Sequence, residues 1–222
     1  MAEALVRGLI EGRIAAPSDI LVAEPKEERR AHLSSRYGVA VTPENGRAAG
    51  GEIVVLAIKP QTLPAVAGDL SGLRETQLLL SLLAGVATST LEGMTSSPVP
   101  VVRAMPNMPA LALAGATALC AGAHAREEHL RAAREILRAV GKVVPVPEKM
   151  MTAVTALSGS GPAYFFLVCE CLAAVGRDLG LERENAELLA RETLSGTGRL
   201  LETAGETPAA LRGRVTSPGG TT

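Results

Sequence analysis

Before Glu148 the chain alternates short apolar runs with segments of helical character; after Glu148 it carries helical segments alone. Glu52-Ile-Val-Val-Leu-Ala-Ile58 reads as a continuous apolar strand stopped by Lys59-Pro60, and Gln77 to Leu83 as another buried strand, leading into Ala84-Gly85. A strand apolar on both sides has to be covered on both faces, the condition of a parallel sheet between layers of helices. Further strands are expected at Ile20–Ala23, Val39–Val41, Val99–Ala104, Ala116–Cys120 and Lys142–Val146. Pro145 and Pro147 restrict the last of these to an edge. Between them the periodicity predicts helices at Ala2–Arg13, Lys26–Tyr37, Gln61–Leu70 and Arg126–Val140. The expected fold is therefore α/β over residues 1–148, followed by an all-α domain over residues 149–222.

The second half is organised around Thr155-Ala-Leu-Ser-Gly-Ser-Gly-Pro-Ala-Tyr-Phe-Phe166. Ser158 to Gly161 reads as a turn that opens backbone N–H groups at a helix mouth, with Pro162 at the helix start. From Ala163 to Val175 only Glu170 is charged, so the helix is expected to be buried all round. Met150 to Cys169 approaches membrane-spanning length; the Gly-Ser-Gly-Pro centre is expected to break such a helix, which argues against a span. With no Trp and few aromatics, the core must be built from Ala, Leu and Val. A net charge of −1 implies no attraction to nucleic acid or membrane surfaces. Cys120, Cys169 and Cys171 lack metal-ligand spacing and read as buried thiols of a reducing compartment.

Ligands of open parallel sheets bind at the carboxyl ends of the strands. Glu24, Lys59-Pro60 and Ala84-Gly85 stand at three such ends. Glu24 suits a ribose hydroxyl, and Lys26, Arg29 and Arg30 suit a 2′-phosphate; equally, these four are the wet start of a helix. Ser217, Gly219, Gly220, Thr221 and Thr222 combine hydroxyls with open backbone, as an anion site requires. His32, His124 and His129 lie in or beside charged helices and read as solvated. The sequence shows no Ser–His–Asp, Cys–His or metal constellation, so the chemistry must need little side-chain acid or base.

Four motifs occur in order: Ala-Ile-Lys-Pro-Gln at 57–61, Arg-Ala-Met-Pro-Asn at 103–107, Leu-Ser-Gly-Ser-Gly-Pro-Ala-Tyr at 157–164 and Ser-Pro-Gly-Gly-Thr-Thr at 217–222. Together they resemble the pyrroline-5-carboxylate reductase family over the whole chain. The resemblance implies a Rossmann-like doubly wound parallel sheet and a helical substrate and dimerisation domain. It implies NADPH as cofactor, with NADH as the alternative, and 1-pyrroline-5-carboxylate as substrate, reduced to proline in the cytoplasm. The partners it implies are the substrate and a second copy of the chain, in a homodimer or an assembly of dimers, without nucleic acid or membrane. Cofactor contacts fall on Met1, Ala2, Glu24, Asn45, Ala57, Ile58, Lys59, Pro60, Leu82, Leu83 and Ala84. Glu148 and the Thr221-Thr222 pair match positions near the imino acid, with Ser217, Gly219 and Gly220 beside that pair. Glu148 reads equally as a cap for the helix from Met150.

Met1-Ala2 resembles the end of the family's Gly-Asn-Met-Ala-like loop, with Ala2 in the slot of its third glycine. A first strand and two glycines are therefore expected ahead of Met1, and further helices beyond Thr222. Without them the chain is expected to be a weak enzyme of low stability. Met108, where the family usually has Thr, and Leu82-Leu83, where smaller residues are common, depart from the pattern at the nicotinamide end. Two other readings stand beside this one. A related two-domain hydroxyacid dehydrogenase would want a lysine in the helical domain, and none follows Lys149. A nucleotide-binding or dimerisation module would lack catalysis altogether.

Overall fold

The structure, a computed structural model, describes residues 1–216 together with 219 and 220. It divides into two compact units, Met1–Pro162 and Ala163–Thr222. The first unit is the α/β one. Its elements run α1 (Ala2–Glu11), β1 (Leu21–Ala23), α2 (Glu27–Tyr37), β2 (Ala40–Thr42), α3 (Asn45–Ala48), β3 (Ile53–Leu56), α4 (Leu63–Ser71), β4 (Leu78–Ser81), α5 (Thr88–Glu92), β5 (Val101–Met105), β6 (Gly115–Ala121), α6 (Glu127–Arg138), β7 (Gly141–Pro145) and α7 (Met151–Val154). Each of the seven expected strands forms within two or three residues of its expected ends.

The strands make two sheets. β1 and β2 pair in parallel, Leu21 opposite Ala40. The other five are ordered β3-β4-β5-β6-β7. β3, β4 and β5 are parallel, with Leu56 beside Ser81 and Ser81 beside Arg103. β6 departs from the expected direction: it runs antiparallel to β5, with Arg103 opposite Cys120. The cause is the link between them. Pro106 to Ala114 holds a 3₁₀ turn at Met108–Ala112 and no crossover helix, and a link that short returns the chain alongside itself. α6 then supplies a crossover, and β7 pairs with β6 in parallel as an edge strand. Among the described residues β1 and β3 each carry a partner on one side only.

The sheet is covered on both faces. Ala4, Leu5, Leu78, Leu80, Val102, Ala104, Leu119, Ala133 and Leu137 form one cluster, and Leu56, Leu63, Val66, Leu70, Leu79, Leu83, Leu91 and Val101 another. Strand residues of successive numbers alternate between the two, as the two-residue period requires. A third cluster joins Val6 of α1 to Leu33, Val39, Val22 and Val41 of the small sheet and its helix. α1 thus buries Ala4 and Leu5 against the large sheet and Val6 against the small one. Its close approach to α6 depends on Gly8, whose missing Cβ would strike the backbone carbonyl of Ala139.

The polar end of α1 is tied to α2. Glu3 accepts hydrogen bonds from Arg29 Nη2 at 2.9 Å and Tyr37 Oη at 3.1 Å, and His32 Nε2 lies 2.9 Å from its Oε1. His32, expected to be merely solvated, belongs to this cluster. The His32 contact, with Arg29 and Tyr37 adding to it against the opposing effect of partial burial, draws the Glu3 pKa down to about 2.

Around Ser158 to Gly161 the structure differs from expectation. Thr155–Gly159 is one turn of π-helix, entered from α7 without a break, and α8 (Gly161–Asp178) follows. Ser160 N–H donates to Thr155 O at 2.8 Å and Ser158 Oγ to Val154 O at 3.1 Å. The backbone donors expected at a helix mouth are thus partly consumed by the wider helical turn. Gly159 lies against Met105: a Cβ here would stand 2.7 Å from Met105 Cε, and the methionine side chain would have to shift. The helical path from Glu148 to Asp178, 31 residues, is long and apolar enough by length and composition to cross a membrane. The Gly-Ser-Gly-Pro sequence bends the hydrogen-bond pattern but does not end the helix.

In the second unit α8 is followed by α9 (Arg183–Thr203) and α10 (Pro208–Val215), and α8 and α9 meet near the turn that joins them. Gly176 lets the first pair approach, since a Cβ there would touch Ala186 Cβ at 3.2 Å. The apolar side chains of α8 are not buried within the chain. Tyr164, Phe165, Phe166, Leu167, Val168, Leu172 and Val175 are all about half exposed or more, Phe165 the most among them at 61%. Ala163–Val175 has more apolar surface than one neighbouring helix can cover.

Two outcomes are expected. Gly8→Ala should overpack the α1–α6 contact and cost about 1–3 kcal/mol, read as a lower Tm or denaturant midpoint. Glu3, with its pKa drawn from 4.5 to about 2, contributes stability that is complete above pH 4.5 and is lost as pH falls toward 2. Glu3→Gln should lower the Tm at neutral pH and flatten the acid limb of the stability curve across that window. An unchanged acid limb would refute the assignment.

Candidate functional site

The carboxyl ends of β3, β4 and β5 lie side by side, since Leu56, Ser81 and Arg103 are neighbours in register. The chain leaves β3 through Ala57-Ile58-Lys59 into a 3₁₀ turn at Pro60–Thr62. Lys59 is exposed and Ala57, Ile58 and Pro60 are half-buried. The chain leaves β4 through Leu82-Leu83-Ala84-Gly85. Leu82 N–H donates to Leu56 O at 3.1 Å, so the two turns are adjacent. Leu83 N–H donates to Ser81 Oγ at 3.3 Å, and Gly85 takes a left-handed φ of 75° that favours glycine. Leu83 is fully buried in the core, so only its backbone can face a ligand. Leu82 is half-buried against the opposite cluster, and Ala84 is exposed at the tip.

The small sheet carries the second group. Glu24 N–H donates to Thr42 O at 3.0 Å, which holds the ends of β1 and β2 together. Glu24 Oε1 accepts from the backbone N–H of Lys26 at 3.0 Å, which seats its carboxylate at the start of α2. Arg30 is turned inward, donating to Glu24 O at 2.8 Å and Pro25 O at 2.7 Å, and Arg29 is paired with Glu3. Asn45 is exposed and opens α3. Met1 is the N-cap of α1, and no side-chain cap engages the first-turn N–H groups that begin at Ala2. Among the described residues no hydrogen bond or ion pair joins Glu24 or Asn45 to the β3 and β4 turns.

Glu148 is held by three donors from elsewhere in the first unit. Thr88 N–H reaches Oε1 at 2.8 Å, Thr88 Oγ1 reaches Oε2 at 2.7 Å, and Arg103 Nη1 reaches Oε1 at 3.1 Å. Arg103 is 8% exposed, on the same face of β5 as Val101 and Met105. Partial burial pushes the Glu148 pKa up, but the Thr88 and Arg103 bonds outweigh it and hold the group below the ordinary carboxylate range. Burial and the nearby Glu148 charge together push the Cys120 thiol up to about 11, which keeps it protonated and unreactive. Glu148 does not cap the helix that follows it; it supplies the cap that α5 lacks. Thr88 and Arg103 are the residues the sequence left without a role. Arg103 stood inside a quoted motif, but nothing local links it to a carboxylate 45 positions on.

Of the residues expected to hold the imino acid, Gly219 and Gly220 are exposed, and Gly219 has φ 72°. Ser217, Thr221 and Thr222 lie outside the described residues. Met108, the expected departure, is 59% exposed at the start of its 3₁₀ turn.

Residues 148–222 match the family description "Pyrroline-5-carboxylate reductase dimerisation", and residues 1–85 match "NADP oxidoreductase coenzyme F420-dependent". The chain is 44% identical over its full length to a pyrroline-5-carboxylate reductase of Synechocystis, covering 83% of that protein. A solved pyrroline-5-carboxylate reductase from Coxiella burnetii superposes with a TM-score of 0.89 at 37% identity, over 99% of this chain and 83% of that one. One from Plasmodium falciparum, solved with NADP bound, gives 0.83 at 27% identity, over 98% and 80%. With this full-length identity, the match of its helical end to the dimerisation model and its superposition on these enzymes, the chain belongs to the pyrroline-5-carboxylate reductase family.

Proposed function

We propose that this protein reduces 1-pyrroline-5-carboxylate to proline with NADPH, NADH being the alternative donor. The observation that carries the reading is full-length identity of 44% to a reductase of that name; the adjacency of the β3 and β4 turns supports a nicotinamide site there. The residues present fit the dinucleotide. The uncapped N–H groups of α1 suit a pyrophosphate. Glu24 and Asn45 stand at the carboxyl ends of the small sheet, where the adenosine end belongs. The reduced nicotinamide, when bound, supplies the hydride.

The substrate is a five-membered cyclic imine bearing a carboxylate. Once its nitrogen is protonated, the ring carbon takes a hydride: a C–H bond forms and the C=N π pair becomes the nitrogen lone pair of the product amine. No strong base is needed. The protein's part is to hold ring and nicotinamide face to face, and such positioning can supply about 7–11 kcal/mol. We assign the substrate carboxylate to the segment 217–222, whose two glycines permit close backbone approach and whose hydroxyls donate. Ordinary hydrogen bonds to a charged acceptor are worth about 1.5–3 kcal/mol each. The functional division is drawn at Glu148, where the dimerisation match begins. The half-exposed face of α8 is assigned to a second copy of the chain, giving a cytoplasmic homodimer able to assemble further, without nucleic acid or membrane as partner.

Imine-dependent oxidation of NADPH or NADH, followed by the loss of nicotinamide absorbance, tests the reading directly; binding of either cofactor without turnover of the imine would refute it. On this reading Glu24 puts a negative charge near the 2′-position of the adenosine ribose, while Arg29 and Arg30 are already engaged. Glu24→Ser should therefore raise kcat/KM for NADPH relative to NADH by about tenfold, the equivalent of ~1.4 kcal/mol. Phe166→Asp should shift the assembly to monomer in sedimentation, since a charge in a closed apolar interface lacks a partner. An unaltered dimer would move the interface elsewhere.

A further inference from the structure

We propose that Glu148 is a positioning residue for the nicotinamide turn, acting through Thr88 and Arg103, and not a group that touches the imine. The inference rests on the functional reading above. The turn from Leu82 to Ala87 is held at both ends by side chains. Ser81 Oγ takes the Leu83 N–H at its start, and the Glu148 carboxylate takes both donors of Thr88 at its finish. Ala87, the N-cap of α5, has no side chain able to cap, so the first donor of that helix is satisfied from 60 residues away.

Glu148 Oε1 also takes Arg103 Nη1, and Oε2 takes Thr88 Oγ1. Both oxygens therefore have partners before a substrate arrives. Arg103 is almost wholly buried and its Nε has no hydrogen-bond partner, so Glu148 is the only carboxylate it meets among the described residues. A carboxylate drawn away to a ring nitrogen would leave that guanidinium uncompensated and α5 uncapped. The same three groups leave Glu148 well placed for another task. Thr88 follows the turn directly, and Arg103 lies two residues before Met105, against which Gly159 packs. One carboxylate thus fixes the exit of the β4 turn relative to β5 and to the helical segment that opens at its own position.

The test uses three variants of the protein: Glu148→Ala, Glu148→Gln and Thr88→Val. Cofactor Kd is measured by NADPH fluorescence with no imine present, and imine KM is measured separately at saturating cofactor. Glu148→Ala should weaken cofactor binding about tenfold, within the range of coupling between linked sites, while the imine KM moves little. Glu148→Gln should fall between it and wild type, because an amide facing Arg103 restores no charge pairing. Thr88→Val, which touches no ligand in either account, should weaken cofactor binding in the same direction, and its effect should vanish when added to Glu148→Ala. If Glu148→Ala does not fold, the other two variants decide the matter. A raised imine KM with cofactor Kd unchanged in the Glu148 variants, or a neutral Thr88→Val, would overturn the proposal. Wild-type protein that binds no cofactor would overturn the functional reading, and this inference with it.

Discussion

A buried guanidinium on a central strand sets the terms for the first unit. Arg103 sits in β5 between Val102 and Ala104, both fully buried, and its own side chain is nearly so. Removing such a charge from water is costly unless a carboxylate meets it with good geometry. Glu148 meets that demand at 3.1 Å, and in doing so fixes where the chain must stand after β7. Thr88 then completes the carboxylate, and the start of α5 is located by the same contact. The strand, the turn-bearing helix and the beginning of the helical segment are thereby referred to one point.

α1 plays a comparable part for the two sheets. β1–β2 and β3–β7 share no strand pairing, so their association rests on side chains. Ala4 and Leu5 enter one core, Val6 and Ile10 the other, and Glu3 secures the helix to α2. At about 1.5–3 kcal/mol for each large aliphatic side chain fully buried, these few residues represent a sizeable share of a domain's usual net stability.

Much of this was legible in the sequence. Fully apolar runs such as Ile53–Leu56 and Leu78–Leu80 announced covered strands, and the helix of Glu127–Arg138 followed from its periodicity. Strand direction was not legible, because a two-residue alternation is the same read either way; only the short link before β6 decides it. What covers α8 was not legible for a related reason. An all-apolar helix states that something must cover it but not whether that cover belongs to the same chain. The π-turn at Thr155–Gly159 has no composition of its own to distinguish it from a glycine-rich loop. At the site, the strand-end turns could be placed from Pro60 and Gly85. The Glu148–Thr88–Arg103 contacts could not, since they join residues 45 and 60 positions apart that share no local pattern.

The long reach of that contact also orders events during synthesis. Thr88 leaves the ribosome 60 residues ahead of the carboxylate that caps its helix. At bacterial or eukaryotic elongation rates of about 5–20 residues per second, that is an interval of roughly 3–12 s. Through it, the leading N–H group of α5 has only water as a partner, and Arg103 has no carboxylate to meet in the sheet. Only when β6, α6 and β7 have been made does Glu148 arrive. The nascent nucleotide-binding half therefore lacks this contact until the first residue of the helical segment has been made.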